Sequence, residues 1–347
     1  MVANVPKLSV KDVQSQKRYT EVNGRKWYYI DSPPSTTSQK GTIVLVHGFP
    51  DISFGWRYQI PLLNRLGFRT IALDSMGYSD TGYSDTGTSP NLSLFGFKSH
   101  ADAIAGIAKA IGAHKIIIGG HDWGGAVVYR VAQWYPDLVT HVFTVCTPYT
   151  PPVDRYISTE QLSKTTLPQF GYQLQFGSED GKIERVVKDE KTMRKFLLGM
   201  YGGRPSSGKK FMSPITGIDL KQVEEGEFKM TPLFDQEEFD FYVQEFLKNG
   251  ISGPCNWYRT RKVNWEEELS LPAASKTIVK QPTLYVLATK DEVLTRKMSK
   301  HMEKAVPNLT RGEVPAGHWA LWQTPEQVNG ILKDWIQGVV LGGKSKL

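Results

Sequence analysis

Several short stretches of this chain are apolar on every residue, where a half-exposed strand would alternate. They are Thr42-Ile43-Val44-Leu45-Val46, Thr70-Ile71-Ala72-Leu73, Lys115-Ile116-Ile117-Ile118 and His141-Val142-Phe143-Thr144-Val145. Strands apolar on both faces belong in a parallel sheet covered by helices. The intervening segments fit that expectation: in Ser99 to Ile111, the residues Ala103, Ile104, Ile107, Ala108 and Ile111 recur at helical spacing. A second set comes much later, with Thr283-Leu284-Tyr285-Val286-Leu287 as a strand and Pro325 to Val340 as an amphipathic helix. Upstream, Tyr19-Thr20-Glu21-Val22 and Lys26-Trp27-Tyr28-Tyr29-Ile30 flank Asn23-Gly24. That dipeptide tolerates the positive φ of a type I′ turn, so a hairpin is predicted.

Between about Thr150 and Lys280 the texture changes. Strand-like runs vanish, and charged, helix-favouring segments (Ser178 to Tyr201, Asp235 to Lys248) alternate with Gly/Pro/Ser punctuation such as Gly202 to Gly208. The pattern predicts an α/β core made of residues 1–149 and 281–347, interrupted by a helical cap over 150–280. One oddity precedes it. Gly77-Tyr78-Ser79-Asp80-Thr81 is repeated at once as Gly82-Tyr83-Ser84-Asp85-Thr86, too short for a repeat architecture and read as a duplicated loop.

Composition narrows the class. The 347 residues suffice for about two domains at roughly 150 residues each. Apolar residues make up 40% and charged residues 22%, so a sizeable core is expected rather than disorder. No stretch approaches ~18 consecutive apolar residues, so no membrane span is expected. The first seven residues lack a signal-peptide pattern, and two cysteines, Cys146 and Cys255, are too few for a disulfide framework, which points to a reducing compartment. The net charge of +7 comes from scattered lysines and arginines, which reads as a solvated surface rather than a nucleic-acid face.

The chemistry concentrates in Ile118-Gly119-Gly120-His121-Asp122-Trp123-Gly124-Gly125. A buried strand running into small-x-Asp-x-small and then a helix is the pattern of a nucleophile elbow, with Asp122 where serine usually stands. A carboxylate attacks an sp³ carbon and forms an alkyl ester, whereas serine would attack an acyl carbon. Glycine-rich turns also cradle phosphates, but a negative charge and an indole at this turn would repel them. Partners are expected later, in the order acid, then histidine. Asp291 follows the strand Thr283 to Leu287, and His318 follows in Ala316-Gly317-His318-Trp319. Asp291 would fix the tautomer of His318 and stabilise its charged form. His47-Gly48-Phe49-Pro50-Asp51, directly after a strand, nominates the backbone amides of Phe49 and Trp123 as an oxyanion hole.

With these pieces the chain resembles the α/β-hydrolase fold and, within it, the soluble epoxide hydrolases, over about Thr20 to Leu341. The resemblance rests on the His-Gly-Phe-Pro loop, His121-Asp122-Trp123-Gly124-Gly125, Lys290-Asp291-Glu292-Val293-Leu294 and Gly317-His318-Trp319. Phe170-Gly171-Tyr172-Gln173-Leu174 and Asn256-Trp257-Tyr258-Arg259 look like the family segments that each carry a catalytic tyrosine, which extends that role to Tyr172 and Tyr258. A phenol suits the task, because it can give a hydrogen bond and then a proton to the opening ring oxygen. The resemblance implies hydrolysis of a small apolar epoxide to a vicinal diol through an ester on Asp122, with His318 and Asp291 activating water. It implies no metal and no cofactor. Phe49, Trp123, Phe170, Leu174 and Trp257 are expected to wall an apolar pocket.

The sequence departs from the family pattern Asp-x-x-Gly-x-Gly-x-Ser after Leu73, where Asp74 to Asp80 lacks the second glycine. About 40 residues precede the first core strand, which leaves no room for the N-terminal phosphatase domain of vertebrate relatives. The nearest rival reading is a haloalkane or haloacid dehalogenase with the same aspartate; Phe49 offers no side-chain donor for a halide, which favours the epoxide. A non-catalytic receptor on this fold would be expected to lose a triad member, and all three are present. The terminal Ser345-Lys346-Leu347 reads as an address for the peroxisomal import receptor, giving a peroxisomal, partly cytoplasmic, location.

Overall fold

The computed structural model describes residues 5–82 and 91–342; most of the second repeat copy and the tripeptide Ser345-Lys346-Leu347 lie outside the described residues. The chain divides into two compact units, Met1–Ser75 with Phe97–Pro152 and Glu267–Leu347, and Met76–Gly96 with Val153–Glu266. Among the described residues, ten strands form: β1 Lys17–Val22, β2 Arg25–Ser32, β3 Gly41–Val46, β4 Phe68–Leu73, β5 Ile116–His121, β6 Val139–Val145, β7 Met212–Ser213, β8 Gly217–Ile218, β9 Thr283–Ala288 and β10 Leu309–Val314.

The first unit is an α/β-hydrolase fold built on an eight-stranded sheet ordered β1-β2-β4-β3-β5-β6-β9-β10. The pairings β1–β2 and β2–β4 are antiparallel, and every other pairing is parallel. The predicted hairpin is present: Asn23 and Gly24 take φ of 52° and 71°, with Val22 opposite Arg25. The all-apolar runs become the central strands, and Ile43, Leu45, Val46 and Ile118 are fully buried. Each such side chain contributes about 1.5–3 kcal/mol through apolar area removed from water. The edge strand β10, LTRGEV, is half-exposed and polar, and its sequence carried no strand signal. Helix Trp123–Trp134 packs on β3, β5, β6 and helix Phe97–Ala110, while helix Pro325–Trp335 packs on β9 and β10 and continues as a π-helical turn to Val340.

Helix Trp123–Trp134 also holds both stems of the inserted segment. Arg130 donates to Glu268 Oε1 at 2.7 Å and to the Thr150 carbonyl at 2.9 Å. One turn on, Gln133 Nε2 donates to the Tyr149 hydroxyl at 2.9 Å and to the Ser275 carbonyl at 2.7 Å. The strand that ends just before Asp122 is therefore followed by the helix that fixes where the chain leaves and re-enters the core.

The second unit is mostly helical. Helices Glu190–Met200 and Gln236–Leu247, each opened by a capping box from Asp189 and Asp235, pack on one another. The predicted helix over Ser178 to Tyr201 forms only from Glu190; Gly181 at φ 64° turns the preceding stretch instead. The segment Met76–Gly96, placed with the core by its sequence position, clusters with this unit. The reason is local packing: Tyr78 sits edge-on to Phe246 and Trp257, Ser79 donates to Glu245, and Asp80 pairs with Lys248 at 2.9 Å. Ser79, at the position of the missing second glycine, takes φ 52°. The backbone there keeps the conformation a glycine would favour, and the hydroxyl finds a carboxylate.

Candidate active site

β5 ends at His121, and the next residue, Asp122, has φ 53° and ψ −123° before helix Trp123–Trp134 begins. A non-glycine residue in that region is strained, and such strain persists only where the surroundings enforce it. Here they do: the Asp122 carbonyl accepts from Gly125 N at 2.9 Å and from Thr147 Oγ1 at 2.7 Å. The turn fits because two glycines lack side chains. A Cβ on Gly124 would lie 2.1 Å from the Val46 carbonyl oxygen, and one on Gly48 would lie 2.3 Å from Asp122 Oδ1.

Because the loop after β3 comes that close, the Phe49 amide donates to Asp122 Oδ1 at 2.7 Å. The Trp123 amide bonds the same carboxylate. Burial pushes the Asp122 carboxyl above its ordinary pKa; the charge on His318 and these two amides oppose the rise. The amides nominated as an oxyanion hole thus both bond the carboxylate of the candidate nucleophile, that of Phe49 on Oδ1.

Asp291 lies just past β9. Its Oδ1 accepts from the amides of Val293 and Leu294 at 2.8 and 3.0 Å, and its Oδ2 is 2.8 Å from His318 Nδ1. His318 Nε2 stands 3.6 Å from Asp122 Oδ2. The loop carrying the histidine is tied to the acid's loop, since Lys290 N donates to the Ala316 carbonyl at 2.8 Å. Burial pushes the His318 imidazole down, but Asp291 beside it, followed by Asp122 and Asp51, outweighs burial and holds it at about 9. Burial pushes Asp291 up, but the His318 charge, the His318 hydrogen bond and the two amides outweigh it and hold Asp291 at about 2. The histidine therefore rests as an imidazolium between two carboxylates at neutral pH.

In the second unit, Tyr172 and Tyr258 are both buried, with ring centroids 5.8 Å apart and planes at 76°. Tyr172 precedes the short helix Gln173–Phe176, and Tyr258 lies in the 3₁₀ turn Trp257–Arg259. Trp257 is buried and spends its indole N–H on the Met76 carbonyl at 3.0 Å, so it anchors the repeat loop. Phe170 is half-buried and Leu174 is exposed. Phe49 is buried, and Trp123, half-buried, tilts against Phe97 at 6.1 Å.

Sequence reasoning assigned no role to Asp51, yet it is fully buried and its charge helps hold the His318 proton. Its signal was available in the string His47-Gly48-Phe49-Pro50-Asp51, an acid inside an otherwise apolar loop. Cys146 and His121 were missed as neighbours of His318 because their hydrogen bonds go to its backbone carbonyl. Donor atoms of His121, Cys146 and His318 lie within 4.8 Å of one another. They are already committed: His318 Nδ1 to Asp291, and His121 Nε2 with Cys146 Sγ to the His318 carbonyl. Burial also pushes the Cys146 thiol well above its usual range, which keeps it from acting as a thiolate ligand.

The family model of the alpha/beta hydrolase fold matches residues 41–325. Epoxide hydrolase srdG of Neurospora crassa is 36% identical over 90% of this chain and 92% of its own length. Bifunctional epoxide hydrolase 2 of Mus musculus is 35% identical over 85% of this chain, which spans 51% of the mouse protein. Among solved structures, epoxide hydrolase A of Mycobacterium thermoresistibile superposes with a TM-score of 0.75 at 26% identity, over 93% of this chain and 98% of that one. A two-carboxylate, one-histidine site at an aspartate elbow, on this sheet and with these relatives, leads to one assignment: the chain belongs to the epoxide hydrolases of the α/β-hydrolase fold.

Proposed function

We propose that this enzyme opens epoxides through a covalent hydroxyalkyl ester on Asp122. The observation that carries the reading is the division of labour between the two Asp122 oxygens. Oδ1 accepts the Phe49 amide at 2.7 Å, and Oδ2 faces His318 Nε2 at 3.6 Å. Oδ2 attacks an epoxide carbon, the carbon–oxygen bond breaks, and Tyr172 and Tyr258 hydrogen-bond the departing oxygen and supply its proton. Two buried phenols with rings 5.8 Å apart suit a single small acceptor. A halide would need donors that Phe49 does not carry.

Esterification removes the charge of Asp122. One of the groups that hold the His318 proton is then gone, and the imidazole pKa falls toward the operating range. The proton of His318 passes to the phenolate left by ring opening, so Nε2 of the neutral ring can take a proton from water, and the hydroxide attacks the ester carbonyl carbon. The negative charge grows on Oδ1, already faced by the Phe49 amide, with the Trp123 amide bonded to the same carboxylate. Collapse expels the diol, which takes its proton from His318, and the carboxylic acid left at Asp122 returns its own proton to the imidazole.

This route leaves the water oxygen in the carboxylate of Asp122. A single turnover with styrene oxide in ¹⁸O-water, enzyme in excess, is expected to label the peptide containing Asp122 and leave the first diol unlabelled. Label in the first diol instead means direct attack of water on the epoxide and sinks the ester mechanism.

A further inference from the structure

The base His318 stands on an irregular segment between β10 and the short helix Ala320–Gln323, so no ladder of backbone bonds fixes it. Its carbonyl oxygen is nevertheless held twice. His121 Nε2 lies 2.8 Å from it and Cys146 Sγ 3.4 Å from it. His121 is the last residue of β5 and Cys146 directly follows β6, so neighbouring strand ends grip the peptide that carries the base. The His121 ring also lies 5.0 Å from the His318 ring and 5.9 Å from that of Trp319.

His121 is fully buried, and burial pushes its imidazole down to about 3, so the ring is neutral at working pH. A carbonyl only accepts, which places the single proton on Nε2. Nδ1 is then a bare acceptor, and it has no hydrogen-bond partner among the described residues. A buried acceptor without a donor is unfavourable. Leucine would fill the same space without that cost, so what distinguishes the imidazole here is its one donated hydrogen bond.

We propose that His121 is a positioning residue for the general base: its Nε2–H fixes the His318 carbonyl, and with it the stand of the His318 ring over the Asp122 ester. The proposal rests on the two-step reading above. One strand end thereby delivers the nucleophile, Asp122, and the register of the base. Only the second half-reaction uses the base, so only that half depends on His121. A displacement of about 1 Å in a catalytic group costs on the order of 10²-fold in rate.

The test compares His121→Leu, His121→Asn and His121→Gln with His318→Ala in single turnovers of styrene oxide, following intact protein mass and diol. Gln can extend an amide N–H to the carbonyl; Asn is polar but one methylene too short. His121→Leu and His121→Asn are expected to form the Asp122 adduct at a rate within about threefold of wild type and to hydrolyse it roughly 10- to 100-fold more slowly. His121→Gln is expected to hydrolyse it within about fivefold of wild type. Should Leu fail to fold, judged by thermal melting, the Asn–Gln pair gives the same comparison. Equal slowing of both half-reactions, or a folded Gln variant that hydrolyses no faster than Asn, overturns the proposal. Absence of an adduct in His318→Ala overturns the ester reading itself, and His121 falls with it.

Discussion

The Nδ1 of His318 and the Oδ2 of Asp291 lie 2.8 Å apart, on a carboxylate whose other oxygen already accepts two backbone amides. Asp291 is thereby fixed before the histidine arrives, and the imidazole is oriented by a group that cannot swing. Replacing Asp291 by Asn keeps the shape but removes the charge and can present an N–H where an acceptor is needed. The expected result is an ester that forms normally and hydrolyses about 10²–10⁴-fold more slowly, the range lost with a general base. Rapid-quench intact-mass measurement checks this; diol release at the wild-type rate from Asp291→Asn removes Asp291 from the mechanism.

The same pair sets a pH dependence whose sign can be worked out. His318 is held at about 9, above its ordinary 6.5, so its contribution to stability is complete below pH 6.5 and is lost as pH rises through 9. Asp291 is held at about 2, below its ordinary 3.8, so its contribution is present above pH 3.8 and lost as pH falls through 2. Urea midpoints of the wild type are expected to drop between pH 6.5 and 9.5, and the drop is expected to flatten in His318→Gln. In Asp122→Asn, where one raising charge is gone, NMR titration is expected to find the His318 pKa below that of the wild type. An unchanged or higher value contradicts the role assigned to Asp122 in holding that proton.

The core was legible because its strands are buried on both faces, which leaves a run such as Ile116-Ile117-Ile118 with no polar side to show. The gathering of Asp122, Asp291 and His318 was legible because chain order and strand-end position are properties of sequence. What escaped was decided by tertiary contact. β10 reads as polar because its edge position leaves Thr310, Arg311 and Glu313 in water. The membership of Tyr78 in the helical unit follows from Phe246 and Trp257, partners more than 160 residues away along the chain. Roles exerted through backbone, such as those of His121 and Cys146 on the His318 carbonyl, leave no motif.

The terminal Ser345-Lys346-Leu347 makes a separate, cellular prediction from sequence alone. A fluorescent protein joined to the N-terminal side of the chain is expected to give punctate signal coincident with a peroxisomal marker. Removing the three residues is expected to make it diffuse. A distribution that is diffuse in both cases contradicts the import signal.

Arg130 and Glu268 form a buried ion pair that joins the helix after Asp122 to the returning stem of the insertion. Their side chains are only 8% and 10% exposed, and the guanidinium also serves the Thr150 carbonyl and Gln133 Oε1. Arg130→Met leaves the Glu268 carboxylate buried without its partner, and that is expected to cost about 3–5 kcal/mol of unfolding free energy. Adding Glu268→Leu removes the stranded charge, so the double variant is expected to recover most of the loss, because a buried pair exchanged for apolar residues is often near neutral. Urea melts of the two single variants and the double variant measure the coupling. A loss below about 1 kcal/mol in Arg130→Met, the range of an exposed pair, would mean that water reaches this junction and that the ion pair does not secure the insertion's stem.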